Sequence, residues 1–85
     1  MVRIREAIVV EGKYDQNTLR QIVDTAVIPT HGFGVMKDRE LLAFLRTVAE
    51  KRGLIILTDS DGAGFVIRNF LKGALPKERV RHAYI

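Results

Sequence analysis

Residues 54–64 read LIILTDSDGAG. The run from Leu54 to Leu57 is apolar at every position, and Thr58 extends it with another β-branched side chain. A strand with no alternation is covered on both faces, the situation of a central strand in a parallel sheet with helices above and below. Asp59 and Asp61 follow at once, and Gly62-Ala63-Gly64 opens an amphipathic stretch reaching about Lys72. The whole segment reads as strand, acidic turn, helix. Working backward, residues 7–12, AIVVEG, repeat that grammar: a short apolar run, then an acid and a glycine.

Between and around these two units the chain alternates apolar runs with longer amphipathic ones. The first strand is expected from Arg5 to Val10. A helix from Asp15 to Ala26 would place Leu19, Ile22, Val23 and Ala26 on one face. Residues 27–30 form a short second strand, and Pro29 assigns it to a sheet edge because proline cannot donate to a central ladder. His31-Gly32-Phe33-Gly34 reads as a flexible loop, with His31 decorating it at the edge where the acids emerge. Asp38 is the expected N-cap of a second helix carrying Leu41, Leu42, Leu45, Val48 and Ala49, closed by Lys51, Arg52 and Gly53. The third strand is 54–58, and the third helix spans 63–72 and is ended by Gly73 and Pro76. Residues 80–85 form a fourth strand.

The fold class is therefore α/β: a four-stranded, mainly parallel sheet in βαβαβαβ order with helices on both faces. Right-handed crossovers leave few topologies. If strands one and three are neighbours, the chain winds one way through the first helix and the other way through the third. Ligands of such sheets bind beyond the carboxyl ends of the strands at that switch point.

Length and composition agree. Eighty-five residues with 47% hydrophobic and 28% charged residues suit one domain over 1–85. The chain stops inside its fourth strand, as a domain trimmed at its C-terminus would. Zero cysteine excludes thiolate metal sites, iron-sulfur clusters and thiol nucleophiles, and fits a cytoplasmic setting. No apolar run is long enough to span a bilayer, so no membrane partner is expected. The net charge of +4 favours polyanionic partners. It becomes more telling once Glu11, Asp59 and Asp61 are set apart, since 14 Lys and Arg then face only seven remaining acids.

Those three acids end two strands that lie side by side if both are central, roughly 5 Å apart. Carboxylates converging there repel one another unless a cation binds them. Mg²⁺ is the natural candidate: it takes oxygen ligands, keeps waters, and leaves a carboxylate free for proton transfer. The plainer alternative is that Asp61 simply caps the third helix, although one cap needs one acid. A calcium EF-hand fails, because its fifth and twelfth loop positions would be Ala63 and Phe70. A haloacid-dehalogenase-type phosphatase places its Asp-x-Asp on the first strand of a much longer chain. No Walker motif is present, and Gly32-Phe33-Gly34 lacks the context of a dinucleotide fingerprint.

Residues 9–15, VVEGKYD, together with 57–64, LTDSDGAG, resemble the two signatures of the TOPRIM domain. That domain is shared by topoisomerases, DnaG-type primases, OLD-family nucleases and ribonuclease M5. The EGK-x-D form, Thr30-His31-Gly32 after the second strand, and Ile67-Arg68 in the third helix resemble the small proteins related to ribonuclease M5. The resemblance implies a TOPRIM, Rossmann-like fold. It also implies Glu11 as catalytic general acid or base as well as metal ligand, Asp59 and Asp61 as the metal-coordinating pair, and Gly12 as a point of close approach to substrate. The implied function is Mg²⁺-dependent phosphodiester cleavage of nucleic acid, RNA rather than DNA, in the manner of ribosomal RNA processing by ribonuclease M5. Two alternatives stay open: a Mg²⁺- and nucleic-acid-binding module without turnover, and a catalytic fragment of a primase or topoisomerase.

Around these acids, Lys13 and Arg68 are candidates to hold phosphate oxygens, with solvated surface charge as the competing reading. The Gly62-Ala63-Gly64 turn could receive a phosphate at the helix N-terminus. Arg79, Arg81 and His82 extend the basic surface. Tyr14 is expected to pack at the start of the first helix rather than to act as a covalent nucleophile, because water activated by metal is the simpler attacker.

Overall fold

The computed structural model describes residues 1–59 and 61–84, with the side chains of all of these except Lys13 and Tyr14. The elements in chain order are β1 (Val2–Arg3), β2 (Ala7–Val10), α1 (Lys13–Arg20), β3 (Val23–Asp24), β4 (Val27–Pro29), a 3-10 helix (Gly32–Lys37), α2 (Arg39–Arg52), β5 (Leu54–Thr58), α3 (Gly62–Ala74), a 3-10 turn (Lys77–Arg79) and β6 (Val80–Tyr84). The main sheet has the order β4-β2-β5-β6, and every neighbouring pair in it is parallel. The two expected central strands are central, and the strand holding Pro29 is an edge strand. β1 and β3 form a separate parallel pair.

Alternation sorts the core into two layers. From β2, Ala7 and Val9 join Leu54 and Ile56 of β5 under α2 and α3, where Leu42, Leu45, Ala49, Ile67 and Leu71 complete the larger core. Ile8 and Val10 point the other way, into a smaller core with Val23 and Val27, against which Leu19 of α1 packs. All four residues of β2 are buried, which is why its sequence shows no alternation. The helix ends follow their local chemistry. Asp38 Oδ1 accepts from the Leu41 N–H at 2.9 Å at the start of α2, and Gly53 adopts φ 80° just past its end, as expected for that cap and stop.

Three local expectations are corrected. The first helix stops at Arg20 rather than Ala26. The apolar spacing that suggested a longer helix is divided: Leu19 and Val23 are in the smaller core, while Ile22 is exposed and its carbonyl accepts from Val2 N–H beside the β1–β3 pair. The segment after Thr30 is a 3-10 helix anchored by buried Val35, with His31 left-handed at φ 59° just before it. The third helix runs on to Ala74. The fourth strand is present through Tyr84, and Ile85 lies outside the described residues. Among the described residues no helix is long and apolar enough to cross a membrane.

Candidate functional site

The register Ile8↔Ile55, Val9↔Ile56 sets β2 and β5 side by side with their carboxyl ends together. Glu11 leaves the sheet one residue after β2, and Asp59 one residue after β5. By alternation Glu11 follows Ala7 and Val9 toward the α2–α3 face, where α3 begins. Its main chain is clamped from the edge side. The Glu11 carbonyl accepts from the Gly32 N–H at 3.1 Å and from Thr30 Oγ1 at 3.3 Å, and Thr30 is itself buried. The acid is held by β2 on one side and by the end of β4 on the other.

Gly64 is the point around which the acids gather. A Cβ built there would overlap the Asp59 carbonyl oxygen and stand 3.1 Å from Glu11 Oε1 and 3.2 Å from Asp61 Oδ1. Two carboxylates from different strand ends thus meet at one hydrogen-sized gap in the first turn of α3. Asp61 Oδ1 accepts from the Gly64 N–H at 2.7 Å, so this acid does serve as the N-cap. Asp59 presents its main chain to this point and keeps its side chain exposed. Burial pushes the Glu11 carboxyl above its ordinary value; a hydrogen bond from the Asp59 backbone works against that, and the negative charges of Asp61, Asp59 and Asp15 add to the rise. Glu11 Oε1 is buried and has no hydrogen-bond partner.

An oxygen-only donor set with one orphaned buried oxygen is the chemistry a hard divalent cation satisfies. The residues present fit Mg²⁺ in that sense. Among the described residues, however, no three carboxylate or imidazole side chains are drawn together closely enough to form a finished metal cage. Asp61 spends one oxygen on its cap.

The flanking candidates fare differently. Arg68 is corrected: rather than reaching for phosphate, it is 1% exposed and bonds inside the protein through both terminal nitrogens, while its Nε is buried without a hydrogen-bond partner. Its Nη1 donates to the Ile56 carbonyl at 3.3 Å and meets His82 Nδ1 at 2.9 Å; its Nη2 donates to Thr58 Oγ1 at 2.7 Å and to the Ala83 carbonyl. The guanidinium also lies 3.9 Å from the centre of the Tyr84 ring. Burial lowers the Arg68 pKa, and Tyr84 and Glu11 draw it back up, so Arg68 is a cation within electrostatic reach of Glu11. His82 is corrected too. Burial, then Arg68 and Lys72, hold its pKa below the ordinary value, and its Nδ1 must be an acceptor to receive the arginine proton.

The Gly64 N–H, already bonded to Asp61, is not free for a phosphate. A Cβ at Gly12 or Gly62 would meet nothing within 4 Å, so the fold itself makes no demand for glycine there. The Lys13 and Tyr14 side chains, and with them the expected phosphate contact and helix packing, lie outside the described residues. Sequence reasoning missed Thr30 and the buried role of Arg68. An arginine between Ile67 and Leu71 on an otherwise apolar helix face was the available signal for the latter.

The two central strands of the parallel sheet end side by side, one leading into Glu11 and the other into Asp59. Residues 6–85 match the Toprim domain, and the chain belongs to that family. Over 86 residues it is 38% identical to ribonuclease M5 of Borreliella burgdorferi, covering 100% of this chain and 46% of the relative. It is 41% identical to ribonuclease M5 of Fusobacterium nucleatum over 83 residues, 98% of this chain and 44% of that one, and 36% identical to ribonuclease M5 of Bacillus subtilis over 84 residues, 99% and 43%. The chain therefore spans less than half the length of these relatives.

Proposed function

We propose that this chain is the catalytic domain of a Mg²⁺-dependent nuclease that cleaves phosphodiester bonds in RNA, working in the cytoplasm on RNA precursors. The meeting of Glu11 and Asp61 around Gly64, with Asp59 beside them at the ends of adjacent strands, carries this reading. The name shared by the relatives supports RNA over DNA. Glu11, Asp59 and Asp61 would hold the cation, which when bound neutralises phosphate charge and activates water. Glu11, half-buried and with its carbonyl bonded by Thr30 and Gly32, would hold or pass a proton at the oxygen that is attacked or leaves. Arg68 stands behind, as a buried positive charge that ties α3 to β5 and β6.

Asp59→Asn tests the proposal. Cleavage of a structured RNA in Mg²⁺ is expected to fall by at least a hundredfold, with circular dichroism unchanged. Cleavage equal to the parent's would remove the metal role. The open spacing of the carboxylates favours one second reading, a Mg²⁺- and nucleic-acid-binding module without turnover. Tight, salt-sensitive RNA binding with no product in either Mg²⁺ or Mn²⁺ would select it.

A further inference from the structure

The connection that carries both aspartates is short. It leaves β5 after Thr58 and enters α3 at Gly62, so Asp59 and Asp61 are placed only as well as those two anchor points are fixed relative to each other. The strand anchor is held unevenly. Pairing of β2 with β5 ends at Val9↔Ile56, whereas pairing with β6 continues through Leu57↔Ala83 and Thr58↔Tyr84. The last two residues of β5 are therefore tied into the sheet by one neighbour.

Arg68 supplies a second tie. It belongs to α3, and its Nη2 donates to Thr58 Oγ1 at 2.7 Å and to the Ala83 carbonyl, while Nη1 reaches the Ile56 carbonyl at 3.3 Å. Thr58 and Arg68 are both buried, and the Tyr84 ring lies against the guanidinium. The bond from Arg68 to Thr58 thus spans the acidic connection as a brace. One end is the residue directly before Asp59, and the other is the helix whose first turn Asp61 caps. Out of contact with water, neither group can exchange its partner for solvent, and a planar fork reaches acceptors on two strands at once where a lysine ammonium would not. What the brace holds is narrow: Glu11 Oε1 and Asp61 Oδ1 lie 3.1 and 3.2 Å from the position a Gly64 Cβ would take. A displacement of about 1 Å at such a point is enough to cost roughly a hundredfold in rate.

We propose that Thr58 and Arg68 are a positioning pair for the divalent cation: their bond fixes the end of β5 against α3 and thereby sets the spacing of the carboxylates that hold the ion. Neither residue touches the ion or the RNA. The competing role, in which Arg68 helps only as a positive charge near Glu11, gives a different outcome, because that charge survives loss of the Thr58 hydroxyl. The inference rests on the Mg²⁺-dependent nuclease reading and adds to it two supporting residues outside the acids themselves.

Thr58→Val keeps the shape of the side chain and removes the acceptor, whereas Thr58→Ser keeps the acceptor. With Mn²⁺ as the probe, followed by the electron paramagnetic resonance of the free ion, Thr58→Val is expected to bind roughly 10- to 100-fold more weakly than the parent, the usual loss when a residue supporting metal ligands is removed. Thr58→Ser should restore binding to within about threefold. In cleavage of a structured RNA at one subsaturating Mg²⁺ concentration, Thr58→Val should lower kcat and leave KM for RNA within about twofold. Mn²⁺ binding by Thr58→Val equal to the parent's, or a loss that Thr58→Ser does not restore, would overturn the pair. Should Thr58→Val not fold, the parent carries the test: Mg²⁺ should slow hydrogen exchange at the buried Arg68 Nε–H at least threefold, since ion and brace then stabilise each other, and exchange indifferent to Mg²⁺ would overturn it. A parent that cleaves RNA while Thr58→Val matches it in both assays removes the pair and leaves the nuclease. A parent that binds Mn²⁺ and cleaves no RNA removes the nuclease reading, while weaker Mn²⁺ binding by Thr58→Val would still uphold the pair. A parent that binds no Mn²⁺ removes both.

Discussion

Gly64 has no side chain, and that is what lets α3 begin within reach of Glu11 and Asp61. Its would-be Cβ position is ringed by a main-chain carbonyl and two carboxylate oxygens. The carbonyl cannot yield without moving β5 or the helix. Gly64→Ala is therefore expected to destabilise the fold by about 1–3 kcal/mol, the usual cost of overpacking a closed site, and to abolish cleavage. Gly62→Ala, two residues earlier in open space, should change stability by no more than about 0.5 kcal/mol. Paired urea titrations measure both, and equal losses in the two variants would show that Gly64 is not the tight point. His31 marks the other special backbone position. A non-glycine residue at φ 59° costs about 1–2 kcal/mol, offset by the turn that brings the Gly32 N–H onto the Glu11 carbonyl.

The seam between α3 and β6 is the element-scale feature that decides how the site is supported. Arg68 ties the helix to both strands beneath it, since its acceptors lie on β5 and on β6. His82 completes that set as a neutral ring. Its folded pKa lies below the ordinary value, lowered by burial and by the charges of Arg68 and Lys72. The unfolded chain therefore takes up this proton first as pH falls. Stability from His82 is full above about pH 6.5, the ordinary value, and is lost as pH falls from there toward the folded value. Glu11, whose folded value is raised, pulls the opposite way at lower pH. The clean measurement is the difference between parent and His82→Asn, which keeps an acceptor facing Arg68 and cannot titrate. The parent should lose stability relative to the variant between pH 7 and pH 5; parallel curves would show that His82 is not held neutral.

At the scale of the whole molecule, the acids cost stability that a cation would return. A +4 chain keeps carboxylates at the end of two central strands, one with a buried oxygen that nothing satisfies. Ligand that binds only the folded state stabilises it by mass action. Mg²⁺ at ten times its dissociation constant should add about 1.4 kcal/mol, or roughly 5–10 °C in Tm for a chain of this size. Chelation should reverse the gain, and Glu11→Gln should blunt it. A Tm indifferent to Mg²⁺ would count against these acids as the cation's ligands.

The amino-acid sequence by itself determined the α/β class, the central places of the two unalternating strands, the edge position of the strand with Pro29, the cap at Asp38, and the family. Each of these is local: a run of apolar residues, a missing N–H, a short polar side chain before a helix. Tertiary structure alone decided that Gly64 is the crowded point, that Asp61 caps α3, that Thr30 clamps Glu11, that Arg68 is buried and bonded to a partly buried His82, and that residues 21–26 leave the helix for a turn and a short strand. Those outcomes depend on which atoms of distant segments come to share one small space. A side chain's charge states what it could bind, whereas its neighbours settle whether any of that capacity is left over for a ligand.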